Sequence, residues 1–189
     1  NVLIVADFNK EWLGRALVSQ ANAIGATSMM MLIPPLGGDH HPVPKPVHTM
    51  AMQADVIMTV LSTLIAHTPL RTESLRKGLR FMVIDKMSPE FLNSGAFDID
   101  FHATRAKCDA MAARLQQAKA ARVTSPAGTD LRMSLEGRDS MSLSGFAVPG
   151  TLACPPGMEA LCSPVEGSAE GRIVCDMSVA GLPKQVSFN

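Results

Sequence analysis

The sequence predicts an α/β protein. A parallel, doubly wound (Rossmann-like) layer spans residues 1–120, and an antiparallel, β-rich unit over 121–189 starts an incomplete second domain. Three observations carry this prediction. Short, uncharged apolar runs such as Val2–Ala6 recur in the first part, as in strands buried on both faces. Stretches with apolar residues at helical spacing separate them, the order expected of a parallel sheet with right-handed crossovers. Beyond residue 121 the apolar period shortens to two and turn residues multiply.

Taken in order, Val2–Ala6 is a strand, and Asp7 or Asn9 is placed to cap the helix after it. Trp12, Leu13, Ala16, Leu17, Ala21 and Ile24 recur along that helix, and Gly25 stands where a terminating glycine belongs. Ser28–Ile33 is a second buried strand. The five prolines and two glycines of Pro34–Pro46 dictate a loop. Val47–Ala54 reads as a short helix and Asp55–Leu61 as the third strand. A helix from Pro69 to Lys77 ends at Gly78, and Arg80–Asp85 is the fourth strand. Ser88-Pro89-Glu90 opens a brief helix through Asn93. Phe101, Thr104, Cys108, Met111, Leu115 and Ala118 mark one face of a longer one.

In the second part, Arg122–Ser125 and Asp130–Glu136 form a hairpin about Ala127-Gly128-Thr129. Strands follow at Glu159–Ser163 and Arg172–Met177, and Val186–Asn189 has the character of another beginning. The chain opens directly on one strand and closes on another, so a piece of a longer polypeptide is expected.

Composition narrows the function classes. Hydrophobic residues make up 47% of the 189, enough for a buried core. Seventeen Lys and Arg balance 17 Asp and Glu, tyrosine is absent and aromatics are 4%, so neither phosphate attraction nor base stacking is provided for. No apolar run reaches the ~18 residues of a membrane span, and no signal-peptide pattern opens the chain; a cytoplasmic protein with no nucleic-acid or membrane partner is expected. Cys108, Cys154, Cys162 and Cys175 lack CxxC spacing and read as small hydrophobes in a reducing compartment, with a Cys154–Cys162 disulfide or a metal site as alternatives.

Neither GxGxxG nor a P-loop is present, which excludes the common dinucleotide and nucleotide sites, and no cofactor-binding or catalytic residue is assigned. Asp7, Asn9, Ser62 and Thr63 fall at strand carboxyl ends, where ligands of such folds gather; capping and turn formation is the plainer role. His40, His41 and His48, with Asp39 as one added ligand, read as exposed loop histidines, His67 as a local hydrogen-bonding group, and His102 as a first-turn residue without a site. Asp130, Arg132, Ser134 and Glu136 share one strand face, most simply a solvated or subdomain-contact one, with a catalytic role as the alternative. Glu159 stands apart. Apolar Met158, Ala160 and Leu161 flank it and prolines bracket its segment, so it is either a metal or acid/base carboxylate or a partly exposed strand residue.

Four motifs in order, Gly-Thr-Asp-Leu-Arg at 128–132, Leu-Glu-Gly-Arg at 135–138, Pro-Pro-Gly-Met-Glu at 155–159 and Ser-Pro-Val-Glu-Gly-Ser-Ala-Glu-Gly at 163–171, resemble the thermophilic metalloaminopeptidase family (aminopeptidase T and aminopeptidase S, the leucyl aminopeptidase type). The resemblance runs the length of the chain and makes it the N-terminal portion of such an enzyme. It implies release of N-terminal amino acids from peptide substrates by two divalent ions of the zinc or cobalt type, and a homo-oligomer, the dimer first. In that family the glutamate of a Pro-x-x-Glu-Val-Phe-x-x-Pro segment ligates the metals; Glu159, five residues before Pro164, stands at that position, with Ala160-Leu161-Cys162 departing from the usual neighbours. The family's other ligands include a tyrosine and a His-x-Asp pair, both absent here, so this chain alone is expected to be inactive. A similar Ser-Ala-Glu-Gly segment occurs in the iron-dependent 2,5-dihydroxypyridine dioxygenases, which share the fold. They supply the alternative, ring cleavage with Fe(II). A non-catalytic assembly or binding module is the third reading.

Overall fold

The computed structural model describes residues 1–176 and 186–188. It is a mixed α/β structure in two compact units, Asn1–Arg105 with Leu143–Met158, and Ala106–Ser142 with the chain from Glu159 onward.

The first unit is built on a five-stranded parallel sheet. Its strands are β1 (Val2–Asp7), β2 (Ser28–Ile33), β3 (Val56–Val60), β4 (Arg80–Val83) and β8 (Leu152–Ala153), in the order β2-β1-β3-β4-β8. Strand β1 pairs with β2 on one side and β3 on the other, all three in parallel register. Leu3 to Ala6 are fully buried, as their unbroken apolar run requires. Helix α1 (Glu11–Ala23) contributes Leu13 to a buried cluster with Ile4, Ala6, Val60 and Ile84, and its Leu17 and Val18 pack around that cluster with Met30 and Met58.

Close approach of α1 to the sheet depends on Gly14. A methyl group there would stand 2.9 Å from the Ala6 Cβ and 2.8 Å from the Met30 sulfur. Met30 can swing aside; Ala6, fixed on the central strand, cannot. Gly14→Ala should therefore lower stability by about 1–2 kcal/mol, because overpacking of ~1–3 kcal/mol outweighs the ~1 kcal/mol gained in helix propensity. Urea unfolding of the variant measures the difference.

Three shorter helices start at prolines: α2 (Lys45–Ala51), α3 (Pro69–Arg76) and α4 (Pro89–Leu92) each carry one at the first or second position, where the missing N–H is not needed. Ser88 caps α4 by accepting the Phe91 amide at 3.1 Å. The expected cap of α1 is different in the structure. Lys10 occupies that position with no side-chain cap bond, because Asp7 and Asn9 are engaged elsewhere.

Strand β8 also corrects the sequence reading, which placed everything after residue 121 in an antiparallel unit. Phe81 and Met82 of β4 pair in parallel with Leu152 and Ala153. The turn before β8 fixes this: Thr151 Oγ1 accepts the Val148 amide at 2.9 Å, and the Gly150 amide donates to the Leu79 carbonyl at 3.1 Å. Two residues are too few to display a period.

The second unit holds most of helix α5 (Phe101–Gln117), which buries Cys108 and Ala112 at i, i+4 spacing. Strands β5 (Ala120–Thr124) and β6 (Asp130–Ser134) form the expected hairpin. Antiparallel strands β10 (Glu170–Cys175) and β11 (Val186–Phe188) complete a sheet in the order β11-β10-β6-β5. Strands β7 (Ser140–Leu143) and β9 (Glu159–Cys162) form a separate two-stranded sheet. Met177 and Asn189, included in the strands read from the sequence, lie outside the described residues. Cys108 is buried and the other three cysteines are half-buried, with no disulfide among them. Among the described residues, no helix is long and apolar enough to cross a membrane.

Candidate functional site

After β2 the chain crosses back over β1 to reach β3, so the carboxyl ends of β1 and β3 mark the sheet's switch point, the usual ligand position in doubly wound folds. There Asp7, fully buried, accepts three hydrogen bonds: from the Ser62 amide (2.5 Å), the Ser62 hydroxyl (3.0 Å) and the Asn9 amide (3.0 Å). Asn9 Nδ2 in turn donates to Ser62 Oγ at 3.2 Å. Of the four residues read from the sequence, the structure thus brings Asp7, Asn9 and Ser62 together and spends their polar groups on one another, while the buried Thr63 hydroxyl has no hydrogen-bond partner among the described residues.

Further carboxylates gather at this edge, with partners that no local pattern in the sequence announced. Asp85, only 6% exposed, accepts the Leu61 amide at 2.9 Å and the Ile65 amide at 3.1 Å. Burial pushes its carboxyl up to about 6, against the pull of the Ile65 and Leu61 amides and the Thr59 hydroxyl, and the Asp7 charge adds to the rise. Asp39 accepts the Leu64 amide at 2.9 Å and pairs with Lys86 Nζ; these bonds hold its carboxyl below the usual range. Among the described residues, Lys86 and His40 are the non-glycine residues with positive φ, 62° and 61°, and both flank this cluster.

The histidines separate into different roles. His40 packs its ring on that of His67, centroids 5.1 Å apart, a contact 27 positions of sequence conceal. His48, expected in an exposed loop, sits on α2 with its Nε2 3.2 Å from Glu73 Oε2 of α3. His41 turns its Nδ1 to the Pro42 carbonyl at 3.1 Å. His102 lies against Phe146 at 4.9 Å, within a cluster that also holds Phe101 and the Arg105 guanidinium.

Glu159 is the first residue of β9 and is exposed. Among the described residues no group of three or more His, Cys, Asp or Glu side chains could hold a metal ion, so the donor set present does not fit a metal centre. In the row of Asp130, Arg132, Ser134 and Glu136 the three charged residues are exposed and Ser134 is half-buried, and Asp130 forms a two-bond pair with Arg122, both bonds 2.8 Å.

Fold and site together define a doubly wound α/β protein whose switch point is filled by its own side chains. Its family is shown by sequence: the chain belongs to the 2,5-dihydroxypyridine 5,6-dioxygenase (NicX) family, whose model matches residues 7–185. Among solved structures it is similar to the 2,5-dihydroxypyridine dioxygenase of Pseudomonas putida KT2440, with TM-score 0.75 and 21% identity over 92% of this chain and 53% of that one. It is also similar to AmpT of Thermus thermophilus, with TM-score 0.61 and 15% identity over 92% of this chain and 59% of that one. At these identities both likenesses are of fold. The likeness to the aminopeptidase is of fold alone, and the family lies on the dioxygenase side. No curated protein sequence matches the chain. The chain spans between half and three fifths of the length of the two structures.

Proposed function

We propose that this chain is the N-terminal part of an iron-dependent dioxygenase that opens a hydroxylated pyridine ring. The observation behind this reading is the family match, which runs from residue 7 to residue 185. The chain's own part in that enzyme is architectural. It supplies the parallel α/β frame and the β-rich unit. Glu159 is the one carboxylate we assign toward a metal, on its place three residues after Pro156 and five before Pro164. The other ligands of such a centre belong to the length of the relatives that this chain does not span. The aminopeptidase reading rests on the same Glu159 segment and becomes the competing outcome.

The test uses the complete polypeptide that contains this chain, reconstituted with Fe(II). Oxygen uptake that requires both Fe(II) and 2,5-dihydroxypyridine is the expected result. Release of amino acids from peptides, without oxygen uptake, would replace this reading with the aminopeptidase one. In the same polypeptide Glu159→Gln should lower the bound metal by about tenfold or more in affinity. An unchanged metal content would remove Glu159 from the centre and leave the ring-cleavage reading to the oxygen assay.

A further inference from the structure

The loop that follows β3 has its backbone amides held by carboxylates from three separate parts of the chain. Leu61 and Ile65 donate to the two oxygens of Asp85 (2.9 and 3.1 Å), Ser62 to Asp7 (2.5 Å) and Leu64 to Asp39 (2.9 Å). Amides at this position of a doubly wound sheet are the groups that would receive an anionic ligand. Here the chain's own aspartates already fill them.

A carboxylate satisfies two N–H donors only while both its oxygens are acceptors. Once protonated, the oxygen that carries the hydrogen becomes a donor and a weaker acceptor, so the N–H facing it is held less firmly. Leu61 and Ile65 are both fully buried and both anchored through their carbonyls, Leu61 by the Lys86 amide at 2.7 Å and Ile65 by the Thr68 hydroxyl at 2.9 Å, so only the bonds to Asp85 tell them apart. Ile65 makes the longer of the two bonds to Asp85. We propose that residues 61–65 form a proton-operated strap, tied to Asp85 at Leu61 and Ile65 while the carboxylate is ionised and released at Ile65 when it is protonated.

The electrostatic surroundings place that event in an accessible range. Burial lifts Asp85 to about 6, and the Asp7 charge adds to the rise. The nearby cations are otherwise occupied: Lys86 on Asp39, and Lys10 on the Met87 carbonyl at 2.6 Å. His67 packs its ring at a tilt against that of His40. Because the folded-state value lies above the ordinary 3.8, the folded chain gains its stability from this group fully below 3.8 and loses it as pH rises through about 6. Acidification from neutral pH should therefore raise global stability while loosening one local tie. General acid destabilisation would move both the same way.

Amide hydrogen exchange measured by NMR on the chain, corrected for intrinsic rates, reads the two separately. Between about pH 7.5 and about pH 5 the protection of Ile65 should fall by about tenfold, while Ser62 and Leu64 change much less. Asp85→Asn, which fixes the neutral state, should show the low Ile65 protection at both pH values. Equal Ile65 protection at the two pH values in the unmodified chain would overturn the strap, as would an Asp85→Asn variant that keeps the original pH dependence. If that variant does not fold, the exchange of the unmodified chain decides alone.

Discussion

Asp7→Ala is expected to destabilise the chain by about 3 kcal/mol. The estimate begins with what the substitution strands. The Ser62 amide, the Ser62 hydroxyl and the Asn9 amide all donate to this carboxylate, which is itself fully buried. An unsatisfied buried donor costs ~1–3 kcal/mol, a cost that falls on the amide and hydroxyl of half-buried Ser62, since Asn9 is exposed and its amide can turn to water. Against this stands the relief of removing a buried charge and its repulsion of Asp85. The stranded Ser62 donors exceed that relief, since the carboxylate was already well solvated by its three donors. Urea unfolding gives the magnitude. The same variant carries a second, independent readout: with the Asp7 charge gone, the Asp85 carboxyl should titrate lower than in the unmodified chain, which NMR of the carboxyl carbon follows. A variant that unfolds at the original midpoint would mean the loop after β3 finds other acceptors.

That role for Asp7 shows where sequence reading stops. The strands of the parallel sheet were legible because burial on both faces writes itself locally, as in Val2–Ala6, and helix ends were legible because Gly25 and Gly78 adopt positive φ where the helices close. Asp7 after a strand and before a helix looks like a cap on the same local logic. Its actual partner, Ser62, lies 55 residues away, and no local pattern announces that. Asp85 was hidden for the same reason: it ends an apolar run, and only the pairing of β4 beside β3 brings it to the Leu61 and Ile65 amides. Strand β8 was missed because its register comes from the turn at 148–151 and from β4, not from its own two residues. Glu159 is the converse case. Its apolar neighbours left it open between a metal or acid/base carboxylate and a partly exposed strand residue, and it stands exposed at the start of β9.

Gly171→Ala is the second large effect expected, and it explains why a family motif can be specific without being chemical. Gly171 ends the Ser-Ala-Glu-Gly segment and sits at φ 122°, a conformation side chains rarely adopt. A Cβ there would stand 2.0 Å from the Asp130 carbonyl oxygen and 3.2 Å from the Leu131 Cα. Those atoms belong to β6, the strand with which β10 pairs through Gly171↔Leu131, so relief requires the two strands to part. Ser168, the first residue of the segment, serves the same junction: its hydroxyl accepts the Ser134 amide at 3.1 Å and donates to the Val165 carbonyl at 2.7 Å. Thr129 fastens the other end, accepting the Val174 amide at 2.9 Å. The backbone strain costs ~1–3 kcal/mol and the clash adds a similar amount, so a loss of about 3–5 kcal/mol is expected from the β6–β10 sheet. Gly167→Ala is the control. It also has positive φ, 74°, but open space around its Cβ position, so it should lose only about 1 kcal/mol. Denaturant unfolding with hydrogen exchange at the β6 and β10 amides distinguishes the two. Equal losses in both variants would mean that φ alone, and not the packing of Gly171 on Asp130, fixes the glycine at this position.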